Sequence, residues 1–74
     1  MRKDSKFQEV EEVAREHLQL MTGDYEQWEL VRVEEQIHHG INYVLHFEHG
    51  SQKCSVDVTQ EPSMRVEAQA LVCN

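Results

Sequence analysis

A chain of 74 residues holds one domain with a small core, so covalent reinforcement matters to it. Apolar residues at 39% and charged residues at 28% suit a folded globule and argue against disorder. Asp and Glu number 14 against 7 Lys and Arg, and the resulting charge of -7 disfavours nucleic-acid backbones and anionic membranes.

The first residues, Met1-Arg2-Lys3-Asp4, lead into a polar helical pattern without an apolar h-region, so no signal peptide is expected within this chain. No apolar run is long enough to span a bilayer. Between Ser5 and Met21, the residues Phe7, Val10, Ala14, Leu18 and Met21 recur at intervals of three and four and predict one amphipathic helix. Val13, His17 and Leu20 widen the stripe. Ser5 and Gln8 have the spacing of a capping box, Gly23 is placed to end the helix, and Glu11 with Arg15 forms a favourable i,i+4 pair.

After a short link at Tyr25 to Gln27, a β-rich stretch runs from Trp28 to Ile37. Its alternation slips between Leu30 and Val31, which predicts a bulge or a change of face there. His38-His39-Gly40 forms the next turn, where Gly40 can take the positive φ that hairpins demand. Ile41, Tyr43, Leu45 and Phe47 then alternate with Asn42, Val44, His46 and Glu48, the clearest strand in the chain. A second turn at His49-Gly50-Ser51-Gln52 precedes a strand from about Lys53 to Thr59, with Cys54, Val56 and Val58 on one face. Pro62, which cannot donate within a central strand, places a third turn at Gln60-Glu61-Pro62-Ser63. Met64, Val66, Ala68, Ala70 and Val72 alternate as the apolar side of the last strand.

Two cysteines, Cys54 and Cys73, have a spacing that would staple the C-terminal hairpin, worth roughly 3 kcal/mol for a loop of about 20 residues. The alternative is a pair of unpaired thiols in a reducing compartment. Pairing Cys54 with Cys73 puts Val56 opposite Leu71 and sets Met64, Val66, Ala68, Ala70 and Val72 against polar residues, so one bulge is expected in or near the last strand to restore the register. The order is thus a helix followed by three hairpin connections: an α+β fold, one amphipathic helix packed across a four-stranded antiparallel meander, in a single domain over residues 1–74.

Two segments carry a family resemblance. Leu30-Val31-Arg32-Val33-Glu34-Glu35-Gln36-Ile37-His38-His39-Gly40-Ile41-Asn42-Tyr43 resembles the second and third strands of cystatins, whose first hairpin carries Gln-x-Val-x-Gly. Cys54-Ser55-Val56-Asp57-Val58, then Pro62, then Cys73, is similar to the C-terminal hairpin of secreted cystatins, where a disulfide spans nearly the same interval and the turn usually holds Pro-Trp. The resemblance implies a disulfide between Cys54 and Cys73, an extracellular location, and non-covalent plugging of papain-like cysteine proteases by the turn end of the sheet. Carried onto this sequence, the protease-binding residues would be Gln36, Ile37, His38, His39 and Gly40 in the first turn, with Pro62 and Ser63 in the second.

This sequence departs from the family pattern at each part of that wedge. His38 stands at the position of the motif's Val, Ser63 follows Pro62 where Trp is usual, and only four residues precede the helix, none of them Gly. A non-inhibitory cystatin-like module with a structural, precursor or assembly role is therefore the alternative reading. A homodimer formed by exchange of elements or by edge pairing of the first strand is a further expectation.

Five histidines, His17, His38, His39, His46 and His49, show no zinc-finger or His-Glu-x-x-His spacing, so no metal and no cofactor is expected. Neither cysteine lies at a helix start that would lower its pKa, and no Gly-rich phosphate loop is present, so the chain does not read as an enzyme.

Overall fold

The computed structural model describes residues 5–23, 27–37, 40–63 and 65–74. His38, His39, Met64, most of the link at Tyr25, and the side chain of Ser5 with its capping box lie outside the described residues. The elements are α1 (Ser5–Thr22), β1 (Glu29–Ile37), β2 (Ile41–His49), β3 (Gln52–Gln60) and β4 (Val66–Cys73). The strands form one antiparallel sheet in the order β1-β2-β3-β4. The α+β meander is therefore the fold, and each element lies within two residues of its expected bounds.

Helix α1 lies over β3 and β4 and reaches β2 through Phe7, whose ring meets Tyr43 edge-on at 5.9 Å. Val10, Ala14 and Leu18 are fully buried against Leu45, Phe47, Val56 and Val58 from the facing strands, and Trp28 closes the core after the helix. At about 25 cal/mol per Å² of apolar surface, this burial is the main favourable contribution to folding. Two expected members of the stripe lie outside the core: Met21 is 64% exposed and Leu20 is 67% exposed. Leu20 is two residues from Leu18, about 200° around the helix, and so points away from the sheet. Met21 keeps the direction of the stripe but occupies the last turn, beyond the buried residues.

That last turn closes as the sequence implies. Gly23 takes φ 70° and its N–H donates to the Gln19 carbonyl at 2.9 Å, while the Thr22 hydroxyl donates to the Leu18 carbonyl at 2.7 Å. On the helix flank, the Arg15 guanidinium binds Glu11 at 2.9 Å, donates to the Trp28 carbonyl at 2.6 Å and lies 5.2 Å over the Phe47 ring. One side chain thus ties the helix, the link and the sheet together.

Both expected irregularities are present. In β1 the pairing steps from Leu30 opposite Phe47 to Arg32 opposite His46, leaving Val31 as the extra residue. In β4 it steps from Ala70 opposite Asp57 to Ala68 opposite Val58, leaving Gln69 over. This second bulge corrects the expected apolar face of β4. Val66, Ala68 and Leu71 pack on the core, whereas Ala70 and Val72 face solvent on the other side. With Gln69 inserted, the disulfide joins directly opposing Cys54 and Cys73, and Val66 and Ala68 still turn inward.

Candidate functional site

The two candidate turns lie side by side at one end of the sheet. Ile41 at the start of β2 pairs with Gln60 at the end of β3, so the segment before Ile41 and the segment after Gln60 leave the sheet from adjacent positions. Gly40 is where they touch. It has φ 118°, a conformation that L side chains rarely adopt, and a Cβ placed there would lie 2.5 Å from the Gln60 carbonyl oxygen, 3.3 Å from Pro62 Cδ and 3.4 Å from Glu61 Cα. Glycine is thus required twice, by backbone conformation and by the close approach of the second turn. Only the first of these requirements is legible in the sequence.

The second turn is closed by the Glu61 N–H donating to the Arg65 carbonyl at 2.8 Å, and Gln60 before it is buried. Pro62 and Ser63 are exposed at its tip, where the Ser63 hydroxyl lies 3.5 Å from the Glu61 carboxylate, and Arg65 pairs with Glu67 at 3.2 Å just below. On the first turn, Gln36 is exposed and Ile37 is 78% exposed. Among the described residues, Gln36, Ile37, Gly40, Pro62 and Ser63 therefore form one edge, with Ile37 as its large apolar side chain. His38 and His39 fall between them in sequence and lie outside the described residues.

Charged and imidazole side chains elsewhere are dispersed. On the outer face His46 Nε2 lies 2.7 Å from Glu34, and Arg32 approaches the same carboxylate at 3.9 Å. The His46 hydrogen bond, with the Arg32 charge second, holds the Glu34 carboxyl below its ordinary range. His49 sits beside Trp28 with ring centroids 5.5 Å apart, and His17 lies on the helix flank. Among the described residues no group of three His, Cys, Asp or Glu side chains is placed to hold a metal ion.

A half-open hollow of about 340 Å³ lies at the opposite end of the sheet, lined by Thr22, Trp28, Gln52, Cys54, Cys73 and Asn74. Its size reaches that of small-molecule sites, but its described side chains offer no acid, base or thiol, because both cysteines are in the disulfide. The Trp28 indole N–H nearby is buried and has no hydrogen-bond partner among the described residues.

No protein-family model, curated protein or solved structure matches this chain. The functional reading rests on its residues and their geometry.

Proposed function

We propose that this protein is a non-covalent protein-binding module of cystatin type, presenting the edge formed by Gln36, Ile37, Gly40, Pro62 and Ser63 to a partner. The observation that carries the reading is the close approach at Gly40, which brings the start of β2 against the β3–β4 turn, beside the exposed Gln36, Ile37, Pro62 and Ser63. The partner class implied by the resemblance is a papain-like cysteine protease, plugged competitively without covalent chemistry. The bridged hairpin supports placement in an oxidising extracellular setting.

A second reading is favoured by a specific feature of the same rim. Ser63 follows Pro62, so the second turn has no aromatic anchor beside its proline. On that reading the domain is a non-inhibitory structural, precursor or assembly module on the same scaffold. Titration of papain and of a lysosomal cathepsin with the oxidised protein separates the two. Inhibition at nanomolar concentration, weakened at least tenfold by Ile37→Ala, supports the plug. No inhibition at micromolar concentration removes it and leaves the structural module.

A further inference from the structure

We propose that the outer edge of β1 pairs antiparallel with the same edge of a second copy, in the register that places Val33 opposite its own counterpart on a two-fold axis. The inference does not rest on the turn-end reading, although Gln36 and Ile37 of that rim end the same strand.

The end of the sheet at β1 is open. Among the described residues β1 pairs only with β2, and every residue of it except Leu30 is exposed. Helix α1 lies over β3 and β4 and does not cover β1. A nine-residue strand with one unsatisfied row of backbone N–H and C=O groups is a template for another strand. Edges of this kind are often blunted by charged side chains. Here the charges have both signs, and their order is self-complementary.

A two-fold axis perpendicular to the sheet keeps side chains on their own faces only if some residue sits opposite its own copy. Centring on Val33 sets Arg32 against Glu34 of the second copy and, by symmetry, Glu34 against Arg32, with two valines between them. Val33 is 37% exposed and lies on the core side of the sheet opposite Leu45, while Arg32 and Glu34 lie on the other face opposite His46 and Val44. With Val31 left over in the bulge, the next opposed pair is Leu30 with Glu35, which adds no like charges. The neighbouring registers each do so: centring on residue 32 opposes two arginines, on 34 two glutamates, and on 35 two glutamates. Directly opposed like charges destabilise a strand pair and unlike charges stabilise it, so the charges of β1 favour the Val33 register over those centred on residues 32, 34 and 35. Arg32 is 70% exposed and holds its intrachain partner Glu34 at only 3.9 Å, so it can turn to a second carboxylate. The backbone ladder and the paired valines supply the attraction, and the charges set the alignment.

Sedimentation equilibrium of the oxidised full chain, from micromolar to millimolar concentration at ~0.15 M salt, tests this. The expected result is a reversible monomer–dimer equilibrium. Arg32→Glu weakens it about tenfold or more by setting glutamate against glutamate twice, and Arg32→Glu combined with Glu34→Arg restores it. Val33→Lys, which places two ammonium groups on the axis, abolishes it. Far-UV circular dichroism and the thermal midpoint confirm that each variant is folded at the concentrations compared. A wild-type chain that stays monomeric to millimolar concentration overturns the proposal. So does a dimer whose constant is unchanged by Arg32→Glu, or one that the charge exchange fails to rescue.

Discussion

Replacing Gly40 with alanine attacks backbone conformation and packing at one atom. At φ 118° an alanine is held in a sparsely populated region, at a cost of roughly 1–3 kcal/mol. Its methyl would also begin 2.5 Å from the Gln60 carbonyl, a backbone atom that cannot swing aside, so the two turns must separate at roughly 1–3 kcal/mol more. The sum, about 2–6 kcal/mol, is large against the ~4–11 kcal/mol expected for a domain of 74 residues. Gly50 supplies the control: its φ is 62° and nothing lies within 4 Å of an added Cβ, so Gly50→Ala carries only the left-handed cost of roughly 1–2 kcal/mol. Both variants lose the same unfolded-chain entropy, so their difference reports the contact between the turns together with the less accessible backbone conformation at Gly40. Urea unfolding with a common slope gives the two values, and thermal scans should show Gly40→Ala falling about 8–48 °C, further than Gly50→Ala. If Gly40→Ala costs no more than Gly50→Ala, the turns are not locked together and the rim is not a single surface.

Breaking the Cys54–Cys73 bridge by the double change to alanine lowers stability by about 3 kcal/mol, read as a fall of roughly 12–24 °C in thermal midpoint. Arg15→Met keeps the apolar stem over Phe47 but loses the Glu11 pair and leaves the Trp28 carbonyl without this donor, so urea unfolding should show a loss of about 1–3 kcal/mol. The Glu34 carboxyl is held below its ordinary value of 4.5 in the folded chain, chiefly by His46. Its contribution to stability is therefore present above that value and is lost as pH falls through the lower folded one, and Glu34→Gln should flatten the acid limb of a stability–pH profile below that value.

How much of this was legible in the sequence depends on how local the cause was. Strand β2 announces itself because strict alternation from Ile41 to Phe47 has a local reading, and its inward set is indeed buried or nearly so. The bulge at Val31 shows as a slip in the same alternation. The one in β4 could be inferred, because two constraints on one hairpin, the bridge and the apolar side of the strand, were incompatible without it. Its position at Gln69 could not, because plain alternation sets Ala70 and Val72 on the core face, where Leu71 packs instead. The exposure of Leu20 and Met21 depends on where the helix ends relative to the sheet, which periodicity does not encode. The role of Arg15 is similarly tertiary: its pairing with Glu11 is visible at i,i+4, but its bond to the Trp28 carbonyl requires the link to fold back on the helix. At the candidate site, Gly40 was readable as a turn former, whereas its contact with Pro62 needed the β2–β3 register.

The layout separates what holds the fold from what would meet a partner. The bridge at Cys54 lies six residues along β3 from Gln60, about 20 Å at strand spacing, and it closes the end of the sheet that also carries Trp28 and the last turn of the helix. The two exposed turns lie at the other end, shaped by Gly40 and by the pairing of Ile41 with Gln60 rather than by the disulfide. Stability and rim geometry should therefore respond independently to most substitutions. Loss of the bridge lowers the midpoint while leaving the rim in place in the molecules that remain folded, and truncating Ile37, which is 78% exposed, alters the rim at little cost in stability. Gly40 stands apart because its one missing methyl lets the β1–β2 turn pack against the β3–β4 turn. A change there should lower stability and deform the binding edge together.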